Sequence, residues 1–387
     1  METYIFGAKA TAAGLYKALS VLEPETVIRA FLVSKPEENV PEIWGCPVRG
    51  LDAVADELSE DEKSVTPVYV AVPELVHDSV REVLESYGFR NLILLDSRME
   101  ADLMGRYCEA VGRFRSVHSL KTMPESRGDD VGKIGLEVPK ITVYAASFYK
   151  DKPLTNPPVF PDYVKKLYLG CEGAVQAGID ISQLAGEGQD GTGASGGIFF
   201  CDNTGDNISG KNPNRCEMTA HYWVWKNRLD TDDEYVGICH YRRMLDLSEE
   251  DLRKIQANDV DVVLPYPMLH YPSARIQHTW YVPEKDWELM RRVVAELYPA
   301  YGERFEEIFD APEFYNYNML LAKKSVFAEY CDWLYPILDR IEELSEPRGC
   351  DRHDRYTAYM SESLETLYFM ANLNRLKIYH TGRLLYT

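Results

Sequence analysis

Two hydrophobic periods alternate along the chain. Short apolar runs closed by Gly, Pro or Asp read as buried strands, and stretches whose apolar residues recur three and four positions apart read as amphipathic helices. Residues 4–7 run as a strand into a small-residue turn, and Leu15, Leu19 and Leu22 then mark a helical face. Residues 27–33, 67–72 and 92–95 read as further strands, with a helix over 76–87. Strand and helix in alternation predict a parallel sheet with crossover helices over residues 1–118. Residues 119–138 are polar, Gly-bearing and without period, which predicts a linker. From Ile141 the pattern resumes in a second domain, residues 139–387. Residues 141–146 form its first strand, with the loop 147–152 at the carboxyl end, and 167–170 suggest another strand. Met218, Tyr222 and Trp225 give a helix over 215–227 that Asn214 could cap, and 235–239 read as a buried strand delivering His240, Tyr241, Arg242 and Arg243. A strand over 262–265, a core helix within 276–309, a helix over 355–364 and a final strand over 377–383 complete the pattern.

Charge narrows what such an α/β chain can bind. Its 387 residues carry a net charge of −20, and a pI near 4.9 argues against a nucleic-acid partner, because phosphate neutralisation needs a basic surface. Mean hydropathy of −0.32, no apolar run long enough to cross a bilayer and no basic-then-apolar start point to a cytoplasmic protein with at most peripheral membrane contact. The eight cysteines are scattered without a CxxC pair, so reduced thiols are expected rather than a zinc site or disulfide framework.

Several segments could carry chemistry. The turn after the first strand has Gly7 and Gly14 but no GxGxxG, and the glycine-dense run 186–197 has no lysine followed by Ser or Thr, so neither a dinucleotide fold nor a P-loop is indicated. Arg242 and Arg243 at a strand's carboxyl end reverse the local sign of an acidic chain, and two guanidinium forks suit a diphosphate. Pairing with neighbouring carboxylates is the other reading. His240 reads either as a donor to ligand or as a satisfied buried imidazole. Asp259 and Asp261 would lie on one face of an extended segment, where they could hold Mn²⁺ or Mg²⁺ or simply form a solvated strand entry.

Taken together, these residues resemble a known family. Asp202-Asn203-Thr204-Gly205-Asp206-Asn207-Ile208-Ser209 with Lys211-Asn212, Glu217-Met218-Thr219-Ala220, Tyr222-Trp223-Val224-Trp225-Lys226-Asn227 and Gly237-Ile238-Cys239-His240-Tyr241-Arg242-Arg243 are similar to the capsular-polysaccharide family once described as a domain of unknown function, itself similar to GT-A-fold glycosyltransferases. Tyr315-Asn316-Tyr317-Asn318-Met319-Leu320, Glu329 to Leu334 and Arg355 to Leu364 continue the resemblance, which spans about residues 140–380. Ser147-Phe148-Tyr149-Lys150 departs from the family's Thr-His-Lys. Residues 1–118, ending in Gly88 to Asp96, resemble Rossmann-like modules fused to bacterial surface-sugar enzymes.

The resemblance implies a cytoplasmic glycosyltransferase that moves a hexose, plausibly a galactose form, from a nucleotide-diphosphate sugar to a glycan or lipid-linked acceptor in capsule or exopolysaccharide biosynthesis. A catalytically silent nucleotide-sugar or glycan-binding protein on the same scaffold is the alternative. By chain order His240-Tyr241-Arg242-Arg243 takes the place of the metal-binding Asp-x-Asp of many GT-A enzymes, which implies a metal-independent site with no cofactor. Glu362 is then the candidate general base. Asp202, Asp206, Asn207, Lys211, Asn212, Glu217, His240, Arg242, Arg243, Asn318 and Arg355 are the candidate donor- and acceptor-binding residues. His278 is placed on the acceptor side, and His380, in the run 377–383, is a candidate to close over the diphosphate.

Overall fold

A computed structural model describes residues 2–121, 138–181 and 199–387. The first sheet is built from β1 (Glu2–Phe6), β2 (Val27–Val33), β3 (Glu42–Ile43), β4 (Cys46–Gly50), β5 (Val68–Val70) and β6 (Leu92–Leu94), in the order β3-β4-β2-β1-β5-β6. All its pairs are parallel except the β3–β4 hairpin. That hairpin was absent from the periodicity because Trp44 and Gly45, both at positive φ, make its turn, and Trp-Gly is not one of the usual hairpin signals. Helices Ala10–Leu22 and Ser97–Val111 pack on one another against this sheet.

The second sheet contains β7 (Ile141–Phe148), β8 (Val164–Leu169), β9 (Phe199–Cys201), β10 (Tyr235–His240), β11 (Arg243–Leu245), β12 (Val262–Pro265), β15 (Leu320–Lys323), β16 (Ile378–Thr381) and β17 (Arg383–Leu385). A separate two-stranded ribbon joins β13 (Met268–Leu269) to β14 (Glu313–Phe314). The main path runs β16-β12-β15-β10-β7-β8-β9, with β11 hydrogen-bonded to β10 and β17. Only β15 along this path runs against its neighbours, so the carboxyl ends of β7, β8, β10, β12 and β16 share one edge with the turn that enters β15.

Alternation sorts the strand residues into two cores. Tyr144, Ala146, Val236, Ile238, Leu320 and Ala322 face the larger core, under helices Met218–Asn227, Lys324–Leu344 and Tyr356–Ala371. Val143, Ala145, Tyr235, Cys239 and Leu321 face the second, under helix Glu249–Ala257. A strand buried on both faces reads as a continuous apolar run rather than an alternating one, which is why Ile141 to Ala146 was legible. Gly237, in the middle, is required by space: a Cβ there would lie 2.9 Å from the Leu320 carbonyl oxygen.

The two sheets are joined through the C-terminal segment. The Ser116 backbone bridges to His380, Leu385 N–H donates to Ser97 Oγ at 2.9 Å, Tyr266 Oη donates to Ser116 Oγ at 2.7 Å and Arg383 pairs with Glu100 at 3.1 Å. Of the expected linker only its ends, through Lys121 and from Val138, fall among the described residues, and the glycine-dense run 186–197 lies outside them. The seven described cysteines are free, and no described helix is long and apolar enough to cross a membrane.

Candidate active site

The expected single helix over 215–227 is broken. Asn212–Arg215 forms one turn, Cys216 leaves helical space at φ +42°, and Met218–Asn227 forms a second helix. Asn214 is therefore inside the first turn, its amide donating to the Gly349 carbonyl, and caps nothing. The break turns Glu217 into the sheet edge, where its Oε1 accepts from Asn318 Nδ2 at 2.7 Å.

Asp202 and Asn212 hold this break in place instead of meeting a ligand. Asp202 is fully buried and accepts from Gly170 N–H, Cys171 N–H, Ser209 Oγ and Thr219 Oγ1 at 2.9, 3.0, 2.6 and 2.7 Å. Asn212 Nδ2 donates to the Cys216 carbonyl and to Thr219 Oγ1. Between them Gly170, at φ +68°, has Phe148 and Asn212 within 3.0 Å of where a Cβ would stand. Asp202→Ala would strand four donors at once, and we expect a loss of about 3–5 kcal/mol in urea-monitored unfolding. A loss below about 1 kcal/mol would contradict this scaffolding role.

Asp206, Asn207 and Lys211 also lie away from the sheet edge. Asp206 accepts from Tyr222 Oη at 3.1 Å and is tied through its backbone to Asn227, the far end of the helix that follows Glu217. Asn207 closes its own loop onto Gly205 and Ser209. Lys211 pairs with Asp339 and Glu342, the carboxylates that also neutralise the buried Arg215. Short polar side chains that satisfy nearby backbone are turn formers by chemistry, and here that local task takes up most of the motif.

Behind Glu217 the structure gathers the remaining candidates around one turn. Tyr317 and Asn318 are consecutive at φ +79° and +49°, a backbone conformation that non-glycine residues hold only when surrounding contacts fix it. Tyr317 N–H donates to Glu362 Oε1 at 2.8 Å, the Tyr317 carbonyl accepts from His240 Nε2 at 2.6 Å and the Asn318 carbonyl accepts from His221 Nε2 at 2.9 Å. Asn318 is itself fully buried, so its amide positions Glu217 and is closed to a sugar. His240 likewise becomes a clamp: burial, with Arg243 and Arg242 beside it, lowers its pKa to about 4, and a neutral imidazole adds no positive charge. Its expected contact with ligand is replaced by the Tyr317 carbonyl.

The arginines are differently placed. Arg243 lies over the Tyr317 ring at 4.3 Å and Arg383 over the same ring at 4.7 Å. Burial, with Arg242 and Arg383 near, lowers the Arg243 pKa. The Arg242 Nε is buried without a hydrogen-bond partner. Arg355 is the left-handed residue that opens helix Tyr356–Ala371, close enough to act on Asp151, Glu217 and Tyr359. Among the described residues no salt bridge joins Arg242, Arg243 or Arg355 to a carboxylate, while Asp151, Glu217 and Glu362 lie within electrostatic reach of them. Like charges so grouped are costly without an anion.

Three carboxyls line the other side. Burial pushes Glu217 up against the pull of Asn318, Arg243 and Arg355. Glu365, one helical turn from Glu362, is fully buried with neither oxygen partnered, and burial beside Glu362 and Glu217 raises its pKa well above the usual range. Glu365, Tyr317 and Arg383 were not singled out from sequence. The Arg383 signal was present in the terminal basic segment, but the other two depend on contacts across the fold.

The alternative carboxylate pair lies elsewhere. Asp259 and Asp261 precede β12, at the opposite edge of the sheet from His240, and are held by Lys323 at 2.5 and 2.8 Å, with Lys377 on Asp259 at 3.2 Å. Among the described residues no three His, Cys, Asp or Glu side chains converge as a metal site. His380 is fully buried, bonded to Tyr315 Oη at 2.8 Å and packed edge-on against Phe114, so it seals the seam between the sheets and cannot close over a ligand. The His278 side chain lies outside the described residues.

Residues 185–373, just under half of the chain, match the family described as a domain of unknown function (DUF4422). No curated protein matches the chain. Among solved structures, the apo form of the bifunctional glycosyltransferase WbbM is similar, with a TM-score of 0.50 at 24% identity over 64% of this chain. The match covers 45% of that enzyme's length. It establishes an α/β, glycosyltransferase-like fold.

Proposed function

We propose that this chain is a glycosyltransferase that moves a hexose from a nucleotide-diphosphate sugar to a glycan or lipid-linked acceptor, in the biosynthesis of a capsular or extracellular polysaccharide. The observation that carries this reading is the grouping of Arg242, Arg243 and Arg355 at the carboxyl edge of the sheet, within electrostatic reach of Asp151, Glu217 and Glu362. As the bond from the anomeric carbon to the diphosphate breaks, charge grows on the departing phosphate oxygens, and fixed guanidiniums stabilise it without reorganising. Glu362 takes the proton of the acceptor hydroxyl while that oxygen forms the new glycosidic bond. The fold match and the partial family match are compatible with this activity.

In this reading Arg242, Arg243 and Arg355 do the neutralising that a chelated divalent ion does in other sites. UDP and a panel of UDP-hexoses, UDP-galactose among them, should bind in EDTA about as well as in Mn²⁺. Arg243→Ala should weaken UDP binding by about 1.5–3 kcal/mol, measured by calorimetry. Loss of donor binding or turnover in EDTA would overturn the metal-free site. Donor binding without transfer to any polysaccharide intermediate would favour a silent binding module.

A further inference from the structure

Next to Glu362, beginning one helical turn from Arg355, stands a run of aromatic side chains that the donor chemistry leaves unused. Tyr359, on the helix that carries Glu362, stacks on Tyr281 with centroids 4.6 Å apart and planes 14° apart. Tyr281 meets Trp280 edge-on at 6.4 Å. Burial and the Glu362 carboxylate, in that order, raise the Tyr281 pKa, with Tyr359 and Tyr317 adding to it, which places the ring beside the base. At the far end the Lys9 ammonium, from the turn after β1 in the first sheet, lies 4.9 Å from the Trp280 centroid.

These rings are open to solvent in a way that large apolar side chains seldom are. Trp280 is 40% exposed and Tyr281 46% exposed. The strip is a few rings wide, bounded by Glu362 at one end and Lys9 at the other, which is too small for a protein interface and the right size for sugar. A pyranose presents a flat C–H face to an aromatic ring and turns its hydroxyls to solvent and to polar neighbours. Indole and phenol rings combine an apolar face with a polar edge and cost little entropy to hold in place.

We propose that Trp280, Tyr281 and Tyr359 form a stacking subsite for the pyranose rings of the acceptor glycan, and that the N-terminal domain completes it through Lys9. This rests on the glycosyltransferase reading above and assigns the acceptor to the aromatic strip that runs from Tyr359, beside Glu362, out to Trp280. The first acceptor sugar lies on Tyr281 with its nucleophilic hydroxyl toward Glu362, and the next extends over Trp280 toward the first domain. The role of the N-terminal domain is then to fix the outer wall of the acceptor site.

The test uses the full chain with two probes read separately: UDP by calorimetry, and a galactose disaccharide by saturation-transfer NMR titration. The double variant Trp280→Ala, Tyr281→Ala should weaken disaccharide binding about tenfold or more, with UDP affinity changed less than about twofold. Tyr281→Phe keeps the ring and should bind the disaccharide like the unsubstituted chain. Lys9→Ala should weaken the disaccharide by about twofold to fivefold. Both aromatic side chains are exposed, so the thermal midpoint reports whether the fold is intact. A chain that fails to bind the disaccharide, or a double variant that binds it unchanged, overturns the subsite. Failure of UDP to bind overturns the glycosyltransferase reading instead, and the two results are distinguishable because each probe is titrated separately.

Discussion

Glu362→Gln lowers the rate of sugar transfer by about 10²–10⁴-fold and leaves UDP affinity within about twofold. Glutamine has the same shape, and its side-chain oxygen can still accept from Tyr317 N–H, the bond that Glu362 Oε1 makes at 2.8 Å. The strained Tyr317–Asn318 turn therefore stays clamped while the capacity to take a proton is removed. Alanine is the wrong substitution, because it orphans a buried N–H at a cost of about 1–3 kcal/mol and would confuse misfolding with lost chemistry. Glu365→Gln is the informative companion. Glu365 is buried without a partner and burial raises its pKa well above the usual carboxylate range, which favours its neutral form, so an uncharged amide should change transfer little. If Glu365→Gln or Glu217→Gln abolished transfer while Glu362→Gln kept it, the base would have to be reassigned within this carboxyl group. Single-turnover rates with a saturating donor separate these outcomes from a change in donor binding.

What could be seen in the sequence follows from which interactions are local. The central strand β7 announces itself because burial on both faces makes the run nearly continuously apolar, and in the strand Val27–Val33 the buried run Ala30–Val33 does the same despite exposed Val27 and Arg29. The carboxyl-edge location of Arg242 and Arg243 followed from strand direction alone. The helix break at Cys216 was invisible, since Met218, Tyr222 and Trp225 keep helical period on their side of it and nothing nearby names Asp202 as the anchor. Asp202 and Asp206 have the same chemistry and similar neighbours in the chain. One is buried under four donors and the other ties a loop to Asn227, a difference made by the turn after β8, by Ser209 and by Thr219 on the helix Met218–Asn227. His240 and Asn318 were right in neighbourhood and different in task, because their partners, the Tyr317 carbonyl and Glu217, lie 77 and 101 residues away. The two sheets were legible, but the seam through Ser116, His380 and Leu385 was not, because a backbone bridge between distant segments leaves no periodicity.

Acid should unfold this protein well before its carboxylates are neutralised. His221, His240 and His270 have pKa values lowered by burial to about 4, and His380 to about 3. In the unfolded chain each titrates near 6.5. A base whose folded pKa is depressed binds its proton first in the unfolded state, so stability is complete above pH 6.5 and falls as pH drops toward the folded pKa. At pH 4 each such imidazole costs about 3 kcal/mol, and four together are comparable with the whole stability of a typical fold. Asp151, Glu217 and Glu365 act in the opposite sense: their folded pKa values are raised, so they favour the folded state as pH falls toward their unfolded value. His118, raised by its bond to Asp251, adds to that side, though it is half exposed. Three carboxyls and one open imidazole offset part of the loss from four desolvated imidazoles, and the balance remains destabilising by roughly several kcal/mol. Urea midpoints measured at pH 7.5, 6.0 and 5.0 should therefore decline steadily, with most of the loss below pH 6.5. His240 and His221 clamp the Tyr317–Asn318 turn, so donor binding should be lost over the same range. A midpoint that stayed level from pH 7.5 to 5.0 would mean that these rings are solvated, and the closed turn at the centre of the site would have to be abandoned with them.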